Sequence, residues 1–191
     1  PTVIINTASD PDNTVSADHE GGGKLIAEHV TALGHRHVVI LGMDRVSEVQ
    51  RDRVAGMHKG LTNADTVHEF WGDNGIDQLA RAINDGATAI LTTSDMLALR
   101  VQSHLTRCGM SVPDDVSLTG FDDLPFAIAM YPMLTTVAQD VQQIANVAIK
   151  HLMRAIQGDE PQIKTAPIAM RLVTRNSTSI IRKTTSLETI K

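Results

Sequence analysis

The stretch VPDDVSLTGFDDLPFAIAMYPMLTTV, residues 112–137, decides the fold of this chain. Its β-prone apolar run, 116–121, lies between a proline turn and the sequence Asp-Asp-Leu-Pro. Such a run is typical of a strand that is covered on both faces, as in a parallel sheet. Ligands of open α/β sheets bind beyond the carboxyl ends of the strands, where Asp122 stands. From the local pattern alone, the commoner role of Asp122 is the cap of a following helix.

The rest of the chain alternates short apolar runs with stretches of helical periodicity. The predicted strands are 3–6, 37–42, 67–71, 87–91, 116–119 and 168–173. The predicted helices are 18–33, 51–61, 75–84, 96–107 and 141–156. This order predicts an α/β fold with a doubly wound parallel sheet. The polar end, 180–191, is expected to fray.

Composition limits the possible classes of protein. The chain has 191 residues, enough for one domain or two small lobes. No apolar run approaches the ~20 residues that span a bilayer, and the N-terminus has no signal-peptide form, so no membrane contact is expected. The single cysteine, Cys108, allows no internal disulfide, which suits a cytoplasmic location.

Charge argues against nucleic-acid binding by this chain alone. The formal net charge is −5, and no dense run of Lys or Arg is present. A DNA-binding face is normally basic. Aromatic residues make up only 3% of the chain, so stacking of bases on an aromatic platform is also not expected.

The opening stretch closely resembles the effector domains of the LacI/GalR family of transcription regulators. Their pattern is much like G-x-x-V-P-x-D-V-S-L-x-G-F-D-D followed by P-x-L-T-T-V-x-Q. Here 109–123 read GMSVPDDVSLTGFDD and 132–139 read PMLTTVAQ. Four shorter motifs also match: AEHVTALGHRHV at 27–38, RDRVAG at 51–56, TTSDMLAL at 92–99 and RLVTRNST at 171–178. The resemblance covers nearly the whole chain up to Ser179.

The resemblance implies a periplasmic-binding-protein-like fold of type I. Family members have an N-terminal helix-turn-helix, a hinge helix and two lobes with the effector between them. Residues 17–138 and 162–178 would form the C-terminal lobe, 1–16 and 139–161 a remnant of the N-terminal lobe, and 179–191 a tail. The helix-turn-helix and about half of the N-terminal lobe would be absent from this chain. Family dimers pair along both lobes, so a homodimer is expected, and a second copy is one candidate cover for the apolar face of helix 141–156.

The resemblance also implies which side chains bind the effector. Arg53 and Asp122 match the family's ligand-contacting arginine and carboxylate, and Ser94 matches a Ser or Asn that faces the cleft. Asn6 matches a polar contact position that is usually Asp, which weakens the case for a sugar hydroxyl there. Asn74 follows Gly72-Asp73, where the family often places an aromatic that stacks on the ligand ring. These five residues are the candidate effector contacts.

Other kinds of chemistry have little support in the sequence. The eight histidines include no H-x-x-x-H pair and no Cys/His cluster, so neither a metal nor another cofactor is expected. The run Gly21-Gly22-Gly23-Lys24 lacks the spacing of a phosphate-binding loop. No Gly-x-Ser-x-Gly elbow is present, and no nucleophile lies near a plausible base, so no catalytic residue is expected.

Three hypotheses about function follow. The first is the ligand-sensing core of a LacI-type regulator, which binds a sugar or related metabolite and controls operator DNA through the absent helix-turn-helix. The second is a transport-type sugar-binding protein of the same fold, which the missing secretory signal disfavours. The third, a flavodoxin-like enzyme, lacks a reactive group of residues.

Overall fold

The structure is a computed structural model, and it describes residues 1–6, 13–43, 47–158 and 166–181. Its strands are β1 (Ile4–Ile5), β2 (Thr14–Val15), β3 (His37–Gly42), β4 (Thr66–Trp71), β5 (Ala89–Thr92), β6 (Ser117–Thr119), β7 (Thr136–Ala138) and β8 (Arg171–Val173). Its helices are α1 (His19–Ala32), α2 (Glu48–Gly60), α3 (Gly72–Asn84), α4 (Asp95–Arg107) and α5 (Val141–Ile156), with a short 3-10 helix at Pro125–Ile128.

The centre of the molecule is a four-stranded parallel sheet in the order β4-β3-β5-β6. Along β3, every residue after the exposed first one is buried, because both faces of the strand are covered. Val38 and Ile40 pack with residues of α1 and α2, whereas Val39 and Leu41 pack with residues of α3 and α4. Helices therefore lie on both faces, and the prediction of an α/β fold with a doubly wound parallel sheet is confirmed.

Helices α1 and α2 meet through glycines. A Cβ atom at Gly23 would overlap the carbonyl oxygen of Arg53, and one at Gly56 would overlap the carbonyl oxygen of Glu20. The two backbones are thus in direct contact, and no side chain larger than hydrogen fits between them. This close approach brings the first residue of α1, His19, next to Arg53 in the second turn of α2.

Beyond β6 the chain runs alongside the segment that contains β7. The N–H of Gly120 donates to the carbonyl of Thr135 (2.9 Å), and the N–H of Asp122 donates to the carbonyl of Val137 (2.8 Å). β7 pairs antiparallel with β8, while β1 and β2 form a separate parallel pair. α5 packs against the β1–β2 pair and buries Ile144 in the core that α1 and α2 share.

The outer face of α5 is apolar and exposed. Val141, Ile149, Met153 and Ile156 are each more than half accessible to solvent. Within the described part of the chain, no element covers them. None of the described helices has the length and apolar character needed to cross a membrane.

Several boundaries differ from the prediction. α2 begins at Glu48 rather than at 51, because the Ser47 hydroxyl caps it by accepting from the N–H of Gln50 (3.3 Å). α3 begins three residues earlier than predicted, at Gly72. β8 is restricted to three residues, and Ile168 forms only an isolated bridge with Ala17. The predictions were based on the spacing of apolar residues, and that spacing does not show where a capping residue or an isolated bridge sets the end of an element.

The predicted C-terminal tail is a second point of difference. Ser179, which we assigned to the tail, donates its N–H to the Ser117 hydroxyl (3.1 Å), and its carbonyl lies 3.1 Å from His35 Nε2. Ile181 donates its N–H to the carbonyl of Leu33 (3.1 Å). These bonds hold 179–181 against α1 and β6. The remainder of the predicted tail, 182–191, lies outside the described residues.

Candidate functional site

Arg53 and Asp122 form an ion pair at the carboxyl edge of the sheet. Arg53 Nη2 lies 2.8 Å from Asp122 Oδ1, and the two side chains are 7% and 22% exposed. Arg53 is in α2, which follows β3, and Asp122 follows β6. The fold therefore brings together two residues that the sequence places far apart, and it withdraws both charges from most of the solvent.

Three further groups surround the Arg53 guanidinium. Nη1 donates to the carbonyl of Thr93 (2.7 Å), and Nε donates to Nδ1 of His19 (3.4 Å). The ring of Phe121 lies beneath the guanidinium, 4.0 Å from its central carbon. A cation over an aromatic ring at this distance is attracted to it. The guanidinium is therefore fixed in position and in rotation.

A hydrogen-bond chain links Asp122 to Asn6 through Gln139. Gln139 Nε2 donates to Asp122 Oδ1 (2.8 Å), and Asn6 Nδ2 donates to Gln139 Oε1 (3.1 Å). Asn6 Oδ1 in turn accepts from the N–H of Ala17 (3.1 Å). Gln139 was not among the predicted site residues. The final Q of the motif P-x-L-T-T-V-x-Q was the signal in the sequence that could have identified it.

Backbone conformation marks the same place. Among the described residues, the non-glycine residues with positive φ are Asn6 (52°), Asp122 (112°) and Asp123 (54°). Such conformations are sparsely populated and cluster at ligand-binding sites, where surrounding contacts hold them. Here the Asp123 carboxylate is held by Arg175 Nη2 (2.6 Å), with Arg171 Nη2 farther away at 3.7 Å.

Asp95, at the start of α4, anchors the loop that carries Asp122. Its side chain is completely buried and accepts from the N–H of Leu124 (2.6 Å) and from the hydroxyl of Thr136 (2.6 Å). Its own N–H donates to the carbonyl of Phe121 (2.7 Å). Burial raises the pKa of the Asp95 carboxyl to about 6, and the two hydrogen bonds oppose that rise.

This pKa predicts how stability depends on pH. The unfolded chain releases the Asp95 proton near the ordinary pKa of 3.8, whereas the folded protein holds it to about pH 6. Between these values the folded state binds more protons, so its free energy of unfolding falls as pH rises. Two pKa units correspond to about 3 kcal/mol. Urea unfolding at pH 4.5 and 7 should show most of this loss in the wild type.

The control for this prediction is Asp95→Asn, which removes the titration and leaves one hydrogen bond unmade. The variant should be less sensitive to pH than the wild type by about 2 kcal/mol over the same interval. Equal pH dependence of the two proteins would show that the Asp95 carboxyl is ionised throughout, and would contradict the raised pKa.

The other two predicted contacts lie outside the Arg53–Asp122 network. Ser94 is half-buried and caps α4, because its hydroxyl accepts from the N–H of Leu97 (3.2 Å), and it also lies 3.8 Å from Met43 Sδ. Asn74 is exposed in the first turn of α3, where its backbone carbonyl accepts from the side-chain Nε2 of Gln78 (3.0 Å). Ser94 directly follows Thr93, which contacts Arg53. Among the described contacts, none joins Asn74 to Arg53 or Asp122.

The described residues contain no group of three or more His, Cys, Asp or Glu side chains that could hold a metal ion. The site instead consists of a guanidinium, carboxylates and amides. Such groups fork across pairs of hydrogen-bonding atoms on a small polar molecule.

Comparison with known proteins supports the same family. The model of the periplasmic binding protein-like domain matches residues 27–178. The lactose operon repressor of Escherichia coli (strain K12) is 33% identical over 156 residues, which cover 78% of this chain and 43% of the repressor. The chain spans about half the length of the curated relatives it matches, between 43% and 57% for the first of them.

Solved structures agree with the sequence relatives. A dimeric lac repressor with an 11-residue C-terminal deletion superposes with a TM-score of 0.82 at 30% identity, covering 95% of this chain and 70% of that one. The lac repressor dimer bound to operator and the anti-inducer ONPF gives 0.80 at 31% identity, covering 94% and 65%. The chain therefore belongs to the family of periplasmic binding protein-like domains, in its branch of LacI-type transcription regulators.

Proposed function

We propose that this chain senses a small polar effector, most readily a sugar or related metabolite, in a cytoplasmic LacI-type transcription regulator. Effector binding would change the affinity for operator DNA, which is contacted by a helix-turn-helix outside this chain. The lac repressor structures to which the chain is similar include a dimer and a dimer on its operator, which supports a homodimer and DNA as partners. The proposed role involves no catalysis and no cofactor.

The proposal rests on the Arg53–Asp122 pair. Arg53 has five N–H donors: Nε donates to His19, Nη1 donates to Thr93, and Nη2 forms the ion pair with Asp122. Asp122 Oδ1 accepts a hydrogen bond from Gln139 and forms the ion pair with Arg53 Nη2, while Oδ2 accepts no hydrogen bond from any described residue. At least two Arg53 donors and one carboxylate oxygen thus remain for a ligand. Neighbouring hydroxyls, which both accept and donate, match this set.

The division of the chain into two lobes relates ligand binding to a change in how the lobes are arranged. We propose that 17–138 and 162–178 form one lobe, and that 1–16 and 139–161 belong to the other. Arg53 and Asp122 then come from the first lobe, whereas Asn6 and Gln139 come from the second. A ligand that replaces the Gln139–Asp122 bond would shift the equilibrium between two arrangements of the lobes. The free energy of this shift cannot exceed the difference between the ligand's binding free energies for the two arrangements.

A transport-type binding protein is the alternative. The curated relatives include transcription repressors, which do not favour it. The reading frame upstream of this chain discriminates between the two, because a helix-turn-helix segment supports the regulator and a signal peptide supports transport.

A thermal-shift screen of sugars and nucleosides, on the full-length protein and on this chain, tests the proposal. We expect a compound that raises the melting temperature of the wild type but not of Arg53→Lys or Asp122→Asn. Each substitution should weaken binding at least ~10-fold, since it removes a charge-assisted hydrogen bond to the ligand.

The matched control is the exposed ion pair between Arg81 in α3 and Asp85 directly after that helix, whose Nε and Oδ2 atoms lie 3.6 Å apart. Arg81→Lys and Asp85→Asn should respond to the same compound as the wild type does. A shift that persists undiminished in both Arg53→Lys and Asp122→Asn would show that the effector binds elsewhere.

A further inference from the structure

His19 is a buried residue next to the proposed effector site that the sequence did not mark. It is the first residue of α1, and only 3% of its surface is accessible. Its Nδ1 lies 3.4 Å from Arg53 Nε, and its ring centroid lies 6.5 Å from that of Phe121. His19 and Phe121 therefore border the same guanidinium from two directions.

The contact with Arg53 determines the form of the His19 ring. An arginine in a protein stays protonated, so Nε is a donor and cannot accept. Nδ1 of His19 must then be unprotonated, and the neutral ring carries its hydrogen on Nε2. Burial, and secondarily the Arg53 charge, lower the His19 pKa to about 4, which agrees with a neutral ring.

This arrangement leaves the opposite side of the ring unsatisfied. Nε2 of His19 is inaccessible to solvent and has no hydrogen-bond partner among the described residues. A buried donor without a partner is costly and calls for a reason. An apolar side chain would fill the same space without that cost. The contact made by Nδ1 is the compensating feature that the structure offers.

We propose that His19 is a positioning residue of the effector site, which accepts the Arg53 Nε hydrogen and thereby aims the remaining guanidinium donors at the ligand. Together with the Nη1–Thr93 bond and the Phe121 ring, this bond prevents rotation of the guanidinium about its long axis, which the ion pair with Asp122 alone would permit. The role rests on the proposed effector site, but the hydrogen bond itself exists without ligand.

Nitrogen NMR of this chain, labelled with ¹⁵N in histidine and arginine and free of ligand, tests the bond directly. We expect His19 to show the Nε2-protonated neutral ring from pH 8 to 5.5, and Arg53 to show a slowly exchanging Nε–H. The Arg53 Nε hydrogen should still exchange slowly in His19→Asn, whose amide oxygen can replace Nδ1 as the acceptor. In His19→Leu it should exchange rapidly with solvent. An Nδ1-protonated ring, or an Arg53 signal that is unchanged in His19→Leu, overturns the proposal.

The compound found in the thermal-shift screen provides the functional measurement. Its dissociation constant should rise about tenfold or more in His19→Leu and stay within about threefold in His19→Asn. Equal affinity of all three proteins overturns the positioning role. If the screen finds no compound, the proposed function fails while the NMR result still decides whether His19 holds Arg53. The tautomer of His19 is measured on the wild-type protein, so this part of the test does not depend on whether any variant folds.

Discussion

Replacing Arg53 by alanine is expected to lower the free energy of unfolding by about 3 kcal/mol. The substitution leaves the Asp122 carboxylate without its partner, and breaking a buried ion pair typically costs about 3–5 kcal/mol. Asp122 keeps 22% of its side chain in solvent, so the lower end of that range applies. Loss of the contacts with Thr93 and Phe121 adds to the cost. Urea unfolding at pH 7 measures the change.

A double-mutant cycle separates the ion pair from the other losses. Asp122→Ala alone and Arg53→Ala/Asp122→Ala complete the cycle, and we expect a coupling energy of about 1–3 kcal/mol. The exposed pair Arg81–Asp85 should couple by less than about 0.5 kcal/mol, because solvent screens it. Similar coupling in the two pairs would mean that burial of the Arg53–Asp122 pair has no energetic effect.

Gly56→Ala is expected to destabilise the protein by more than about 3 kcal/mol. Alanine is the better helix former, so helix propensity alone predicts a gain of about 1 kcal/mol. Packing predicts the opposite, because the new Cβ would overlap the carbonyl oxygen of Glu20 in α1. That neighbour is backbone and cannot rotate away, so α1 and α2 must separate, a strain beyond ordinary overpacking.

The control for Gly56 is the adjacent exposed residue, Ala55. Ala55→Gly should cost only about 1 kcal/mol through helix propensity. Because α1 carries His19 and α2 carries Arg53, Gly56→Ala should also weaken effector binding. A Gly56→Ala protein as stable as the wild type would show that the two helices are not held in backbone contact.

The same residues give a physical reason for the motif R-x-x-G. Residues three apart lie on neighbouring parts of one helix face. Arg53 reaches the candidate site, and Gly56 lets α2 lie against α1 closely enough for His19 to contact Arg53. The glycine therefore acts on the site through the crossing of the two helices.

Local patterns predicted the elements well where neighbouring residues alone decide them. The run HVVILG is a strand over 37–42, and the periodic stretch 141–156 is a helix, both as predicted. The predictions were less accurate at ends set by capping, such as the start of α2 at Glu48. The family motifs indicated Arg53 and Asp122 as a pair of interest, although nothing local to either residue relates it to the other.

By itself, then, the sequence determined the alternation of strands and helices, the two-sided burial of the sheet, and the positions of the polar residues at its carboxyl edge. Each of these depends on the period of apolar residues within a single element. Only the tertiary structure decided that Asp122 pairs with Arg53, that Gln139 bridges to Asn6, and that His19 contacts the guanidinium. Those contacts join elements that are distant along the chain, and their geometry follows from how the elements pack.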